Sequence, residues 1–213
     1  ALQHYSAMFA DSRKWLQSGW LDYLTPQVYW YIGQAGSDYK LLVPWWNDNA
    51  YGRHIYVGLA DYKMNTAGWT DPAQIANQIG MNRAHANTYG QIHFRHAFLA
   101  ANPLNYRTDL KQNIYNRPAL LPSMPWKDNL PVPAPGLLGA VPAAQNAVQL
   151  AWAPPLASND EMERARRFAI YRSEQREMDI EASANLLALT NTDTTAFTDT
   201  TVAPGQYYYY TVT

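Results

Sequence analysis

A chain of 213 residues suits one large domain or two modest ones, and with 47% hydrophobic, 14% aromatic and only 15% charged residues it is not a disordered protein. Sixteen Lys and Arg against seventeen Asp and Glu leave a formal charge of -1, so there is no basic field to gather nucleic acid or an anionic membrane. Cysteine is absent, which excludes thiol catalysis, thiolate metal sites and disulfides and leaves the redox compartment open.

No apolar run approaches the roughly 18 residues of a membrane span. The opening Ala1-Leu2-Gln3-His4 has neither an initiator Met nor a basic targeting region, and reads as a processed or cut end.

Asp11 to Ser18 reads as a helix stopped at Gly19, where a left-handed residue is easily accommodated. Apolar runs at Tyr23–Trp30, Ile55–Ala60 and Gln91–Phe94 then read as strands, their centres about 32 residues apart, the size of one βα unit. Between them, Ser37 or Asp38 can cap a helix carrying Leu41, Leu42, Trp45 and Trp46, the two tryptophans being assigned to packing. Thr70-Asp71-Pro72 offers a cap and first-turn proline ahead of Ile75 and Ile79. A further helix is expected from about Asn105 to Asn116. Alternating helices and strands imply parallel strands covered by helices.

Composition then changes. Seven of the eight Trp lie in the first 126 positions, and all five Glu between Glu161 and Glu181. Prolines crowd Leu121–Trp126 and Leu130–Gly136, favouring extended chain. The expected division is residues 1–128, a Pro-rich linker at 129–136, and 137–213. In the last part short runs at Ala147–Trp152, Arg167–Tyr171, Leu186–Leu189, Ala196–Thr198 and Tyr207–Val212 read as a β-sandwich, with Tyr208, Tyr210 and Val212 on one face.

The segments Ala10–Leu16, Gly19–Trp30, Trp69–Ile75 and Pro118–Trp126 resemble, in order, the later part of the glycosyl-hydrolase-like (DUF187) family of bacterial envelope lipoproteins. That resemblance implies an α/β fold over residues 1–128, the last part of a (β/α)8 TIM barrel. Residues from Pro135 onward resemble a fibronectin type III domain, an all-β sandwich, with Trp152 at the position of its early core Trp, Tyr171 on a middle strand and Tyr208–Tyr210 at its tyrosine corner and strand. Eight βα units need roughly 250 residues, so the chain is expected to be a piece of a longer protein that holds the remaining barrel. The family includes a division-site glycosidase acting on peptidoglycan strands without stem peptides. By resemblance the parent is therefore a periplasmic or secreted, lipid-anchored glycoside hydrolase of wall glycan or a related polysaccharide, needing no cofactor. The rival expectation is a non-catalytic carbohydrate-binding or scaffolding envelope protein.

Glycosidases need two carboxyl groups about the scissile bond. The first half has no Glu, and of its Asp residues only Asp61 lies at the carboxyl end of an expected strand, where barrels build their sites. It is a candidate for a site role or for bonding nearby backbone N–H groups. The family's earlier carboxylates have no counterpart here. The better candidates are aromatic, amide and cationic: Gln27, Tyr29, Trp30 and Tyr31 at the end of the first strand, Tyr62 and Lys63 after the second, and Arg95 and His96 after the third. Rings pack on sugar C–H faces and amides pair with hydroxyls, so Gln27, Tyr29, Trp30, Tyr62, Lys63 and Arg95 are expected to bind substrate. His93 and His96, helped by His54 and His85, could converge on a metal only if the strand ended between them, because strand residues three apart point to opposite faces; no metal site is expected.

Overall fold

The computed structural model describes residues 4–144, 146–161, 163–191 and 194–213; Ala1, Leu2 and Gln3 lie outside the described residues. The chain divides into two compact units, Ala1–Asn116 and Arg117–Thr213. The division falls ahead of the boundary expected near Asn129. Arg117 already belongs to the second unit, where its guanidinium donates to the Ala184 carbonyl.

In the first unit, helices α1 (His4–Met8) and α2 (Ser12–Gln17) precede strand β1 (Tyr23–Leu24). Asp11 caps α2 by accepting from the Lys14 N–H at 3.0 Å, and Gly19 takes the left-handed φ of +69° that ends it. Strand β1 is much shorter than the run Tyr23–Trp30 suggested. Pro26 has no N–H to donate, and beyond it only the bridge of Gln27 to Gly58 continues the pairing. Helix α3 (Tyr39–Asp48) is capped by Asp38, whose carboxylate accepts from Gly33 and Lys40 N–H groups. Strand β2 (His54–Leu59) leads into a single 3₁₀ turn, Asp61–Lys63.

Helix α4 (Gln74–Arg83) begins later than Thr70-Asp71-Pro72 suggested, because Asp71 instead closes a turn onto the Ala73 and Gln74 N–H groups. Strand β3 (Thr88–His93) is followed by α5 (His96–Ala101), which the sequence pattern did not signal, and by α6 (Tyr106–Asp109), continued as a π-helical turn over Leu110–Ile114.

The strands pair in the order β1-β2-β3, all parallel, with Val57 opposite Gln91 and Leu59 opposite His93. Alternation puts Val57, Leu59, Gln91 and His93 on one face and Tyr56, Gly58, Gly90 and Ile92 on the other. The first face is buried: Ile55, Val57 and Leu59 pack with Val43, Ile75, Ile79, Tyr106 and Leu110. Each such aliphatic side chain contributes about 1.5–3 kcal/mol. Tyr39 and Asn82 tie α3 to α4 through a buried 2.8 Å hydrogen bond. Trp46 packs on this core as expected, whereas Trp45 is 44% exposed, with Arg13 lying over its ring.

In the second unit β4 (Gly136–Ala144), β5 (Ala147–Ala153) and β8 (Ala196–Asp199) form one antiparallel sheet, and β7 (Leu186–Asn191), β6 (Arg167–Ser173) and β9 (Tyr209–Val212) another. Strand β4 occupies proline-bearing sequence that does not read as a strand. It lies at a sheet edge, where Pro142 can be accommodated. Leu150, Trp152, Phe168 and Ile170 form the core, with Tyr210 and Val212 packed on it. Arg172 donates to Asp199 at 2.8 Å and the Tyr210 hydroxyl to the same carboxylate at 2.9 Å.

Candidate functional site

Parallel strands joined by helices bring their carboxyl ends to one edge of the sheet. At that edge stand the segments after β1, β2 and β3, and with them most of the side chains singled out from the sequence. The Tyr29 ring meets Tyr62 edge-on at 5.9 Å and stacks on Phe94 at 5.9 Å, while Tyr62 also meets Phe94 at 6.0 Å and Phe98 at 6.2 Å. Each of the three loops thus gives one ring to a single aromatic cluster, and α5 adds Phe98. Tyr29 reaches over Gly58, where a Cβ would come within 3.3 Å of its ring and 3.0 Å of the Pro26 carbonyl. Partial burial, then the neighbouring Tyr62 and Asp61 charges, raises the Tyr29 phenol pKa, so it is a neutral hydrogen-bonding group at physiological pH.

The two cations of this edge differ. Lys63 donates to the Tyr29 carbonyl at 2.7 Å and sits 5.8 Å from the Tyr62 ring centre and 5.9 Å from that of Trp69. It therefore clasps the first loop to the second. Arg95 is exposed and lies 5.5 Å from the Phe98 ring centre.

Gln27 and Trp30 lie apart from this cluster. Both line a cleft of about 1110 Å³ shared with Arg13, Trp45, Trp46 and Tyr51. Trp30 is half-buried against the core, and its carbonyl accepts from Gln78 Nε2 at 2.9 Å.

Asp61 is 0% exposed. Its Oδ1 lies 2.9 Å from His93 Nδ1; His93 Nε2 lies 2.9 Å from the Tyr115 hydroxyl, which also receives the Gln91 amide. The Tyr106 hydroxyl, itself buried, adjoins the same carboxylate; burial and then the Asp61 charge push its pKa well above the ordinary tyrosine value. Asp61 thus bonds a side chain from the next strand rather than nearby backbone N–H groups. His93, Gln91, Tyr106 and Tyr115 escaped the sequence reading as partners of Asp61, because only the register placing Leu59 beside His93 brings them together. Phe94 reads in the sequence as the last residue of its strand, whereas β3 ends at His93 and leaves the ring on the loop that follows. Among the described residues no group of three or more His, Asp or Glu is placed to hold a metal ion, and no helix is long and apolar enough to cross a membrane.

The family resemblance holds in comparison with known proteins. Residues 2–76 match the family described as Glycosyl hydrolase-like 10. The whole chain aligns over 220 residues, at 34% identity, with 42% of the length of a protein named glycosyl hydrolase YngK of Bacillus subtilis (strain 168). Over 105 residues, 45% of this chain, it is 31% identical to glycosyl hydrolase DigH of Escherichia coli (strain K12), covering 24% of that protein, and the same figures hold for the DigH of Shigella flexneri. The chain spans less than half the length of these relatives.

Proposed function

We propose that this chain, glycosyl hydrolase-like over residues 2–76, forms one wall of the glycan groove of a bacterial cell-envelope glycoside hydrolase. In this reading the three parallel strands are the last three of a (β/α)8 barrel, and the six antiparallel strands are a fibronectin type III-like module. The observation that carries it is the convergence of Tyr29, Tyr62 and Phe94 at the carboxyl edge of the strands, the edge on which barrels build their sites. Rings so placed offer flat apolar faces to the C–H faces of sugars. Gln27 and Arg95 supply exposed donors at the ends of the first and third strands, and Lys63 keeps two N–H donors beyond the one given to Tyr29. Trp30 offers a further half-buried aromatic face in a separate cleft.

The substrate is peptidoglycan glycan strands or a related polysaccharide, in a periplasmic or secreted protein anchored by lipid at its N-terminus. Hydrolysis of the O-glycosyl bond requires one carboxylic acid to protonate the leaving oxygen and one carboxylate as nucleophile or base. That pair belongs to the part of the protein outside this chain, and no cofactor is needed. The burial of Asp61 on His93 favours one other reading, a non-catalytic carbohydrate-binding protein, since it leaves the aromatic cluster without an accessible carboxylate from this residue.

Calorimetric titration with chitohexaose, a soluble β-1,4-linked N-acetylglucosamine oligomer, tests the groove. Binding should be saturable, and Tyr29→Ala should weaken it roughly three- to tenfold, the equivalent of about 1 kcal/mol for one aromatic face. Equal affinity in the variant and the parent chain would contradict the assignment.

A further inference from the structure

We propose that Asp61 and His93 are positioning residues, a buried carboxylate and a partly buried imidazole that set the aromatic cluster from beneath rather than taking part in bond cleavage. The role rests on the glycan reading above for its purpose, but its geometry stands independently. Asp61 immediately precedes Tyr62 and Lys63; His93 immediately precedes Phe94 and Arg95. Near the cluster the two loops are joined by two backbone bonds, Phe94 N–H to the Leu59 carbonyl at 3.0 Å and Tyr62 N–H to the Phe94 carbonyl at 3.3 Å. Neither bond fixes a side chain. The Asp61–His93 contact crosses the same junction on the helix-covered face, one residue before each ring.

Its donors and acceptors close in one direction. The Gln91 amide donates to the Tyr115 oxygen, the Tyr115 O–H to His93 Nε2, and His93 Nδ1–H to Asp61 Oδ1. This arrangement uses the neutral imidazole with its proton on Nδ1. The remaining oxygen, Asp61 Oδ2, is buried without a hydrogen-bond partner, as is the hydroxyl of Tyr106 in α6, which feels the Asp61 charge. Helix α6 and the turn after it thus brace the pair from the side away from the rings. Asp61, 0% exposed, has no face toward a sugar. Without the carboxylate, His93 Nδ1–H loses its acceptor, and the two loops can shift to find another.

The test compares the 213-residue chain with Asp61→Ala and Asp61→Asn. Asparagine keeps an oxygen for His93 Nδ1–H and can donate its amide to Tyr106, but cannot act as an acid or base. The readouts are chitohexaose affinity and the NOEs linking the Tyr62 ring to Phe94 and to Tyr29. We expect Asp61→Ala to weaken those NOEs and lower affinity roughly tenfold, the scale of loss from a small misplacement of binding groups, and Asp61→Asn to retain the NOEs and bind within about twofold of the parent. Unchanged NOEs in Asp61→Ala, or an asparagine variant as impaired as the alanine one, would overturn the positioning role. If the parent chain does not bind chitohexaose, the glycan reading fails and the NOEs alone decide on the pair. If Asp61→Ala does not fold, His93→Leu takes its place, with the same NOE loss expected and intact NOEs contradicting the role.

Discussion

The ring of Tyr29 stacks on that of Phe94 at 5.9 Å and 30° between planes, joining the loop after β1 to the loop after β3 across the strand that separates them. Phe94 is 48% exposed, so the stack is formed at the surface rather than inside the core.

Phe94→Ala should therefore reduce oligosaccharide affinity while lowering the melting temperature by no more than about 2–4 °C, the shift that about 1 kcal/mol gives at this chain length. Titration and a thermal melt on the same sample check it. A large drop in melting temperature with unchanged affinity would mark the ring as a packing element only.

Gly58 lets the Tyr29 ring descend onto the sheet. Gly58→Ala would place a Cβ 3.0 Å from the Pro26 carbonyl and 3.3 Å from the Tyr29 ring, so the ring must move away. We expect the variant to fold, at a cost of about 1–3 kcal/mol, and to lose affinity much as Tyr29→Ala does. Parent-like affinity would show that the ring's seat over Gly58 is immaterial to binding.

Trp69 and Trp30 should separate in urea denaturation. Trp69 is 2% exposed, and its replacement by Ala should cost about 3–5 kcal/mol. Trp30 is only half-buried and lines the cleft, so Trp30→Ala should cost less, on the order of 1–3 kcal/mol, with a loss of affinity as well. Equal costs for the two, with no change in binding, would place Trp30 in the core.

Much of the first unit is legible in sequence because its signals are local. Asp11 and Asp38 cap the helices they precede, Gly19 ends the first of these, and the 32-residue spacing foreshadows three parallel strands. What failed to show depends on partners distant in sequence. Pro26 truncates β1 although its neighbours are good strand formers, and Pro142 hides an edge strand within residues 137–213. Trp45 fits the apolar spacing of its helix yet faces outward. In the site, Phe94 reads as the end of its strand, whereas Tyr29 and Tyr62 were readable from position alone. The partnership of Asp61 with His93 was not, since it joins residues 32 apart through a strand register and is braced by tyrosines from a helix further on.

The second unit offers a pH test. Burial alone would raise the Asp199 pKa, but hydrogen bonds from the Thr201 side chain and backbone, from Arg172 and from Tyr210 outweigh it and hold the carboxyl below its ordinary value. A carboxylate depressed in the folded state stabilises fully above its unfolded pKa of about 3.9, and that contribution is lost as pH falls through the lower folded value. The melting temperatures of the parent chain and Asp199→Asn should therefore differ most near neutrality and converge below about pH 4. A constant difference down to pH 2 would contradict the role given to this carboxylate.

The most direct measurement is turnover of purified peptidoglycan glycan strands by this chain and by a longer parent protein carrying the rest of the barrel, followed by the release of reducing ends. If the proposed groove is right, we expect hydrolysis by the longer protein and none by residues 1–213 alone. Sustained release of reducing ends by the 213-residue chain, abolished by Asp61→Asn, would contradict it and make Asp61 a catalytic acid or base.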